Sequence, residues 1–285
     1  MATAHGSTEG WGGSSWAPEV LSGGRLESSE DSLNSRDFSH SNNPPFASEE
    51  SVLLLPFGRR SFLPAIVDAW GGEEVPLDET TDRLVYRLSG APTPVTLVYS
   101  GMGSPAAANA LEMAAHAGAR RVVVFGACGG VAQAVGVGEL LVATGAVRGE
   151  GTSGYYAPPG FPAAFDPLLT AGLWSAATAS GVGAHRGVVY TTDAGYRQGR
   201  EIYEECAGLV IGVESECAAV AVVGARLGLE TGALLFCTDN VTLPKKKDRG
   251  YRGLADPRVL RGFGAGLEAT IGVLSSPIDL SSPIE

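Results

Sequence analysis

What this 285-residue chain lacks narrows its role before any motif is read. It has no uninterrupted apolar run of about 18 residues, the length needed to cross a bilayer as a helix, so no membrane span is expected. Its first residues do not show the charged-then-apolar order of a secretory leader. There are only four cysteines, Cys128, Cys206, Cys217 and Cys237, at spacings that fit no zinc pattern. Three of them sit in apolar segments, so they read as reduced core residues of a cytoplasmic protein. An excess of positive charge is also missing. Twenty Lys and Arg stand against 31 Asp and Glu, a formal net charge of -11. A chain so charged repels nucleic acid and anionic membranes, and neither is expected as a partner. No internal repeat is visible.

What is present falls into two textures. Residues 1–43 are rich in Gly, Ser, Asn and acids and poor in aliphatics. They offer too little apolar surface to offset the entropy of ordering, so a flexible polar tail is expected. Residues 44–285 read as the folded domain, with enough apolar content for one large core. From Glu50 onward, short apolar runs alternate with amphipathic stretches. Strands are expected over SVLLLPF, LVYRLSG, VTLVYSGMG, RVVVFGACGG, ELLVATGAV, GVVYTT and GALLFCT. Helices are expected over 62–70, 105–117, 164–180, 200–206, 216–227 and 258–274. Continuous β-branched runs between helices predict an α/β fold: a single domain of three α/β/α layers around a mixed, mostly parallel sheet.

Several strand exits carry residues fit for chemistry. In SGMGSPAAA, a strand runs through Gly101 and Gly103 into a Ser-Pro helix start, which presents backbone N–H groups to an anion or a sugar oxygen. The third glycine and the acid of a dinucleotide fingerprint are absent, which argues against a Rossmann-type dehydrogenase. In GACGGV, the small residues Gly126, Ala127, Gly129 and Gly130 around Cys128 leave room at the sheet edge where ligands of open α/β sheets bind. Close helix–strand packing explains some of these glycines equally well. AVRGEGTSGYY places Arg148 and Glu150 in an ordered polar corner. TTDAGYR offers Tyr196 to stack on a base and Arg197 as a fork of donors. VIGVESEC reads as a helix opening with Glu214 and Glu216 at its start, where acids are favoured anyway. Such carboxylates can also accept hydrogen bonds from vicinal sugar hydroxyls. GALLFCTDN ends an apolar strand in Asp239, a candidate proton carrier held in apolar surroundings.

The order GMG, GACGGV, EGTS, TTDAGYR, GVESE, CTDN, running from about Val52 to Leu274, resembles the nucleoside phosphorylase family of the purine and uridine type, which also holds the methylthioadenosine and S-adenosylhomocysteine nucleosidases. The resemblance implies a nucleoside phosphorylase-like fold. It also implies cleavage of the N-glycosidic bond of a nucleoside, most readily phosphorolysis of a purine-type nucleoside to free base and ribose 1-phosphate. Glu216 then holds the ribose hydroxyls, beside Ser215 where the family has Met, and Asp239 protonates the leaving base. Tyr196, Gly129 and Cys128 line the base pocket, with Gly195 in place of a stacking aromatic. His40 stands where the family sends a His into a neighbouring subunit's site, so a homo-oligomer, a dimer or a trimer of dimers with shared sites, is expected.

The departures concern phosphate, the co-substrate in place of any cofactor. The family's GDP turn is PFGRR here, its central-strand Arg is Val124 and its hydroxyl partner is Ala127. Substitute contacts are expected from Gly58, Arg60, Gly101, Gly103, Arg148 and Arg197, with Arg59 nearby. Otherwise water is the nucleophile and the enzyme is a hydrolase, or the chain binds nucleosides without catalysis. Uridine-type members carry a Gln-x-Arg pair. The local match is Arg197-Gln198, in the opposite order, so a purine is expected over uracil.

Overall fold

The computed structural model describes residues 46–77, 83–197, 205–206, 208–242 and 253–276. The tail, including His40, and most of the helix expected over 200–206 lie outside this set. Strand β1 (Ser51–Leu55) runs between two parallel neighbours, β4 (Val95–Tyr99) and β5 (Arg121–Gly130). Beyond β4, the strands β3 (Leu84–Leu88) and β2 (Gly72–Val75) continue antiparallel to one edge. On the other side, β10 (Glu230–Asn240) lies parallel to β5 and antiparallel to β6 (Leu140–Gly149). β8 (Ala184–Thr192) runs parallel to β6, and β9 (Gly212–Glu214) parallel to β8. β9 then pairs antiparallel with the last two residues of β5, Gly129 and Gly130. Strands β5, β10, β6, β8 and β9 therefore close on themselves. The two-residue β7 (Ala163–Ala164) pairs with β6.

Burial on both sheet faces explains the near-continuous apolar strands. In β5, Val122, Val124 and Cys128 enter one core, which includes Ala107 and Leu111 of α2 (Ser104–His116) and Ala218 and Val222 of α4 (Cys217–Leu227). Val123 and Phe125 enter the other, with Leu63 of α1 (Leu63–Ala69), Leu169 of α3 (Pro167–Ala179) and Ile271 of α5 (Pro257–Leu274). The helices start on local chemistry. Asp166 and Asp256 accept from the backbone N–H groups of Leu169 and Arg258, each with Pro as the first helical residue. α4 stops at Gly228, whose φ of 72° is the left-handed region that glycine enters without strain.

The expected layers and mixed sheet are present, and the antiparallel pairings gather at the β2–β3–β4 edge and at the ring closure. Three strands escape the sequence pattern. β2 (GEEV) is a charged edge strand, β7 has two residues, and β9 is a three-residue strand inside a segment that reads as a helix opening. Consequently Glu214 ends a strand, and only Glu216 stands at the helix N-cap.

Five phenylalanines stack beneath the sheet: Phe57, Phe62, Phe125, Phe236 and Phe263, with Phe62 and Phe263 centroids 4.2 Å apart and Phe57 and Phe236 5.2 Å apart. Phe236 is fully buried, on the strand that ends in Asp239. Phe236→Ala should therefore cost about 3–5 kcal/mol of unfolding free energy. The measurement is the urea midpoint at unchanged m-value, and a loss below about 1 kcal/mol would count against a structural role for the stack.

Candidate active site

The two acids of the VESE segment are both buried, Glu214 at 6% and Glu216 at 5% exposure. The sequence can place them there because the chain supplies donors. Glu214 Oε2 accepts from the backbone N–H groups of Glu216 (2.6 Å) and Cys217 (2.7 Å), the opening of α4. Its other oxygen accepts from the Thr191 hydroxyl, which itself accepts from the Ala218 N–H at 2.8 Å. Glu214 is thus a helix-start ligand delivered by a strand. Glu216 makes no cap contact with its own helix. Its Oε1 accepts from the Gly103 N–H at 2.6 Å, across the gap to the turn before α2. Burial raises both carboxyls above the ordinary range. The donors around Glu214 offset part of its burial, and burial together with the neighbouring Glu214 pushes Glu216 up to about 8.

Asp239 sits at the end of β10, past a register shift between Cys237 and Asp239 that sets it opposite Gly129. A Cβ at Gly129 would lie 2.9 Å from Val241 Cγ1 and 3.2 Å from Val213 Cγ1, so only glycine fits between β9 and β10 there. Gly129 also pairs with Val213, the residue before Glu214. The same sheet end therefore gathers Asp239, Gly129, Cys128 and the Glu214–Ser215–Glu216 turn. The apolar run leading to Asp239 is buried through Cys237, whereas Thr238, Asp239 and Asn240 are half-buried. The Thr238 hydroxyl bonds the Cys128 carbonyl at 3.1 Å and lies 3.2 Å from Asp239 Oδ1. Cys128 is buried, which pushes its thiol well up, so it offers bulk here and not a thiolate.

Beside these residues lies a cleft of about 470 Å³ between the ends of β1, β4, β5 and β10. Pro56, Phe57, Gly58, Tyr99, Met102, Ala127, Thr238 and Leu254 line it, and none of them is charged. The arginines expected here are placed elsewhere. Arg59 and Arg60 line a separate cleft with Leu63, Asp68 and Tyr86, between α1 and β2–β3. The Arg148 fork is taken up by the Ser153 hydroxyl (2.8 Å) and the carbonyls of Ala157, Pro158 and Phe161 at 2.6–2.9 Å. With Glu150 accepting from the Ser153 N–H and Asp193 from the Gly151 N–H, it ties down the polar corner after β6. Arg197 is exposed on the short turn Gly195–Arg197. Tyr196 lies on that turn, and its side chain is outside the described set. Val124 is fully buried in the sheet, at the position where the family resemblance expects an arginine. Among the described residues, no group of three or more His, Cys, Asp or Glu is placed to hold a metal.

Thr191 and Ser104 are the participants that sequence reading missed. A hydroxyl inside an apolar strand or at a helix start has no distinctive pattern, and only the tertiary fold brings these two to the VESE segment.

Comparison with known proteins places the chain in a family. Residues 66–253 match the family model described as Phosphorylase superfamily. The chain is 37% identical over 118 residues to a uridine phosphorylase of Klebsiella aerogenes, covering 41% of this chain and 46% of that one. It is 34% identical over 179 residues to a uridine phosphorylase of Treponema pallidum, covering 59% and 67%. It is 31% identical over 156 residues to a guanosine phosphorylase of Halorubrum lacusprofundi, covering 54% and 65%. The matches thus span from less than half to two thirds of these relatives. Among solved structures, a purine nucleoside phosphorylase of Toxoplasma gondii in complex with immucillin-H superimposes with a TM-score of 0.70 at 21% identity, over 80% of this chain and 91% of that one, a likeness of fold. With the family model matching more than half of the chain, and the paired carboxylates and strand-end acid gathered at one sheet end, the protein belongs to the phosphorylase superfamily.

Proposed function

We propose that the protein is a nucleoside phosphorylase, which breaks the N-glycosidic bond of a nucleoside with inorganic phosphate to give free base and ribose 1-phosphate. The observation that supports this most is Glu216, a buried carboxylate with one oxygen anchored by Gly103 and set at the sheet end that carries Asp239. In this reading, Glu216 accepts hydrogen bonds from the ribose 2′- and 3′-hydroxyls and orients the sugar. Asp239 is the group placed to pass a proton to the departing base as the C1′–N bond stretches, and phosphate attacks C1′ of the oxocarbenium-like sugar. The chemistry needs no cofactor.

For the base, the sequence holds a signal besides Arg197-Gln198. Gln198-Gly199-Arg200 has the Gln-x-Arg order of the family's uridine-type members, although these residues lie outside the described set. With relatives named for uridine and guanosine, this supports an oxo-base nucleoside, uridine first. The second reading is a purine nucleoside, favoured by Asp239, a strand-end acid placed to protonate the leaving base. Phosphate binding is expected to be weak, because Val124 and Ala127 stand where the family resemblance places two phosphate ligands and a dianion needs cationic partners. We infer a homo-oligomer, a dimer or trimer of dimers, with His40 reaching a neighbour's site, as the family resemblance implies. The free cysteines fit a cytoplasmic setting.

The assay is base release from uridine, guanosine, inosine, adenosine and methylthioadenosine, with and without phosphate. Phosphate-dependent ribose 1-phosphate is the expected product, with a high KM for phosphate. Free ribose formed at the same rate without phosphate would instead mean a hydrolase. Glu216→Gln should lower kcat/KM on the best nucleoside by about a hundredfold or more, the loss of a charge-assisted contact. Unchanged kcat/KM would remove the ribose assignment.

The raised carboxyl of Glu216 sets two pH dependences. Because the ionised form accepts the ribose hydroxyls, kcat/KM should climb as pH rises through about 8. Stability moves the opposite way. The folded protein holds the Glu216 proton where the unfolded chain, with an ordinary carboxyl near 4.5, has released it, so this stabilisation is complete below 4.5 and lost as pH rises through about 8. Urea midpoints across that window should fall less steeply for Glu216→Gln than for the wild type. Parallel profiles would show that Glu216 titrates normally.

A further inference from the structure

The turn between β4 and α2 lies beside the uncharged cleft, yet its best-defined polar contacts point away from it. Gly103 has φ 101° and ψ 155°, a backbone region open in practice only to glycine, and it caps α2 without any side-chain contact. Its N–H donates to Glu216 Oε1 at 2.6 Å. The next residue, Ser104, is fully buried, and its hydroxyl donates to the Ser215 carbonyl at 2.7 Å. A serine at a helix start ordinarily turns its oxygen back to the N–H groups of its own helix. Here it bridges to the peptide between Glu214 and Glu216.

The two carboxylates are consequently fixed from different sides. Glu214 is held by Thr191 and by the opening of α4. Glu216 is held from α2, through Gly103. The aim of the Gly103 N–H depends on how the start of α2 is registered against the start of α4, and the Ser104–Ser215 bond sets that register. We propose that Ser104 is a positioning residue for the ribose-binding carboxylate, locking the Gly101–Ser104 turn to the VESE backbone so that the Gly103 N–H stays aimed at Glu216. The inference rests on Glu216 being the ribose ligand. Met102, 76% exposed on the same turn, lines the neighbouring cleft. The lock thus joins the wall of that cleft to the ribose carboxylate as one rigid unit.

Loss of the lock removes the hydroxyl that the Ser215 carbonyl accepts from and slackens the N–H that stabilises the ionised Glu216. The charged form of the carboxylate is then harder to reach, so the rise of kcat/KM with pH shifts to higher pH.

The test is nucleoside kcat/KM against pH for the wild type, Ser104→Ala and Ser104→Thr, each checked for folding by circular dichroism. Thr96→Val serves as the comparison for stability alone, because Thr96 is a buried hydroxyl on β4 that accepts from the Glu49 N–H, away from the two acids. Ser104→Ala should lose about tenfold in kcat/KM at neutral pH, shift the rise upward and approach the wild type at high pH. Ser104→Thr, which keeps the hydroxyl, should restore the wild-type profile. Thr96→Val should lower the melting temperature without moving the profile. If Ser104→Ala does not fold, Ser104→Cys, with a similar volume and a weak donor, is held to the same criterion. An active wild type whose Ser104→Ala variant keeps an unshifted profile overturns the inference alone. A wild type inert towards every nucleoside overturns the parent reading and this inference with it.

Discussion

The site depends on holding two acids together inside the protein. A buried carboxylate without donors is too costly to keep ionised, and two adjacent ones repel each other besides. The fold meets this cost unequally. Glu214 receives a hydroxyl and two backbone N–H groups at the opening of α4, which offset part of the cost of its burial. Glu216 receives the Gly103 N–H from across the gap and a backbone contact from Ser215, too little to offset its burial, so its proton is easily retained. The asymmetry distinguishes two acids that stand only two residues apart in the sequence.

That arrangement exists because five strands close on themselves. β9 is only three residues long, yet it pairs with both β8 and β5 and so carries the VESE turn to the end of β5. The approach is tight enough that Gly129 admits no side chain between Val213 and Val241. The register shift in β10 then sets Asp239 opposite Gly129. Beneath the ring, the phenylalanine stack and the buried faces of α3 and α5, with Leu169, Leu173 and Ile271 fully buried, make the sheet a firm platform, so the acids are placed by the core.

The cationic side chains divide differently from the acids. Arg148 looked available in sequence because it follows a strand directly, but its fork closes the corner after β6 by gathering several loop carbonyls. Arg59 and Arg60 follow β1 and were expected near the nucleophile, yet they turn to a second cleft beside Tyr86. A planar fork with five donors is suited to organising a loop as well as to binding an anion. Among the described residues, the cleft beside the acids has an uncharged lining, next to a turn whose Gly103 donor is already engaged.

The sequence by itself determined the layers, most of the strands and helices, and the stations of Glu216 and Asp239. Buried strands and amphipathic helices have strong periodicities, and the ordered motifs from GMG to CTDN occupy strand exits. It did not determine β2, β7 or β9, because charged, two-residue and three-residue strands carry no period. Nor did it determine how the donors divide between the two acids, that Thr191 and Ser104 belong to the site, or where each arginine points. Arg148 is taken up by the loop just after its own strand, whereas the pairing of the two acids rests on contacts across long stretches of chain, such as Gly103 with Glu216 and Thr191 with Glu214. Only the closing of the ring and the packing of α2 on α4 bring such residues within hydrogen-bond reach, and the tertiary structure alone decides them.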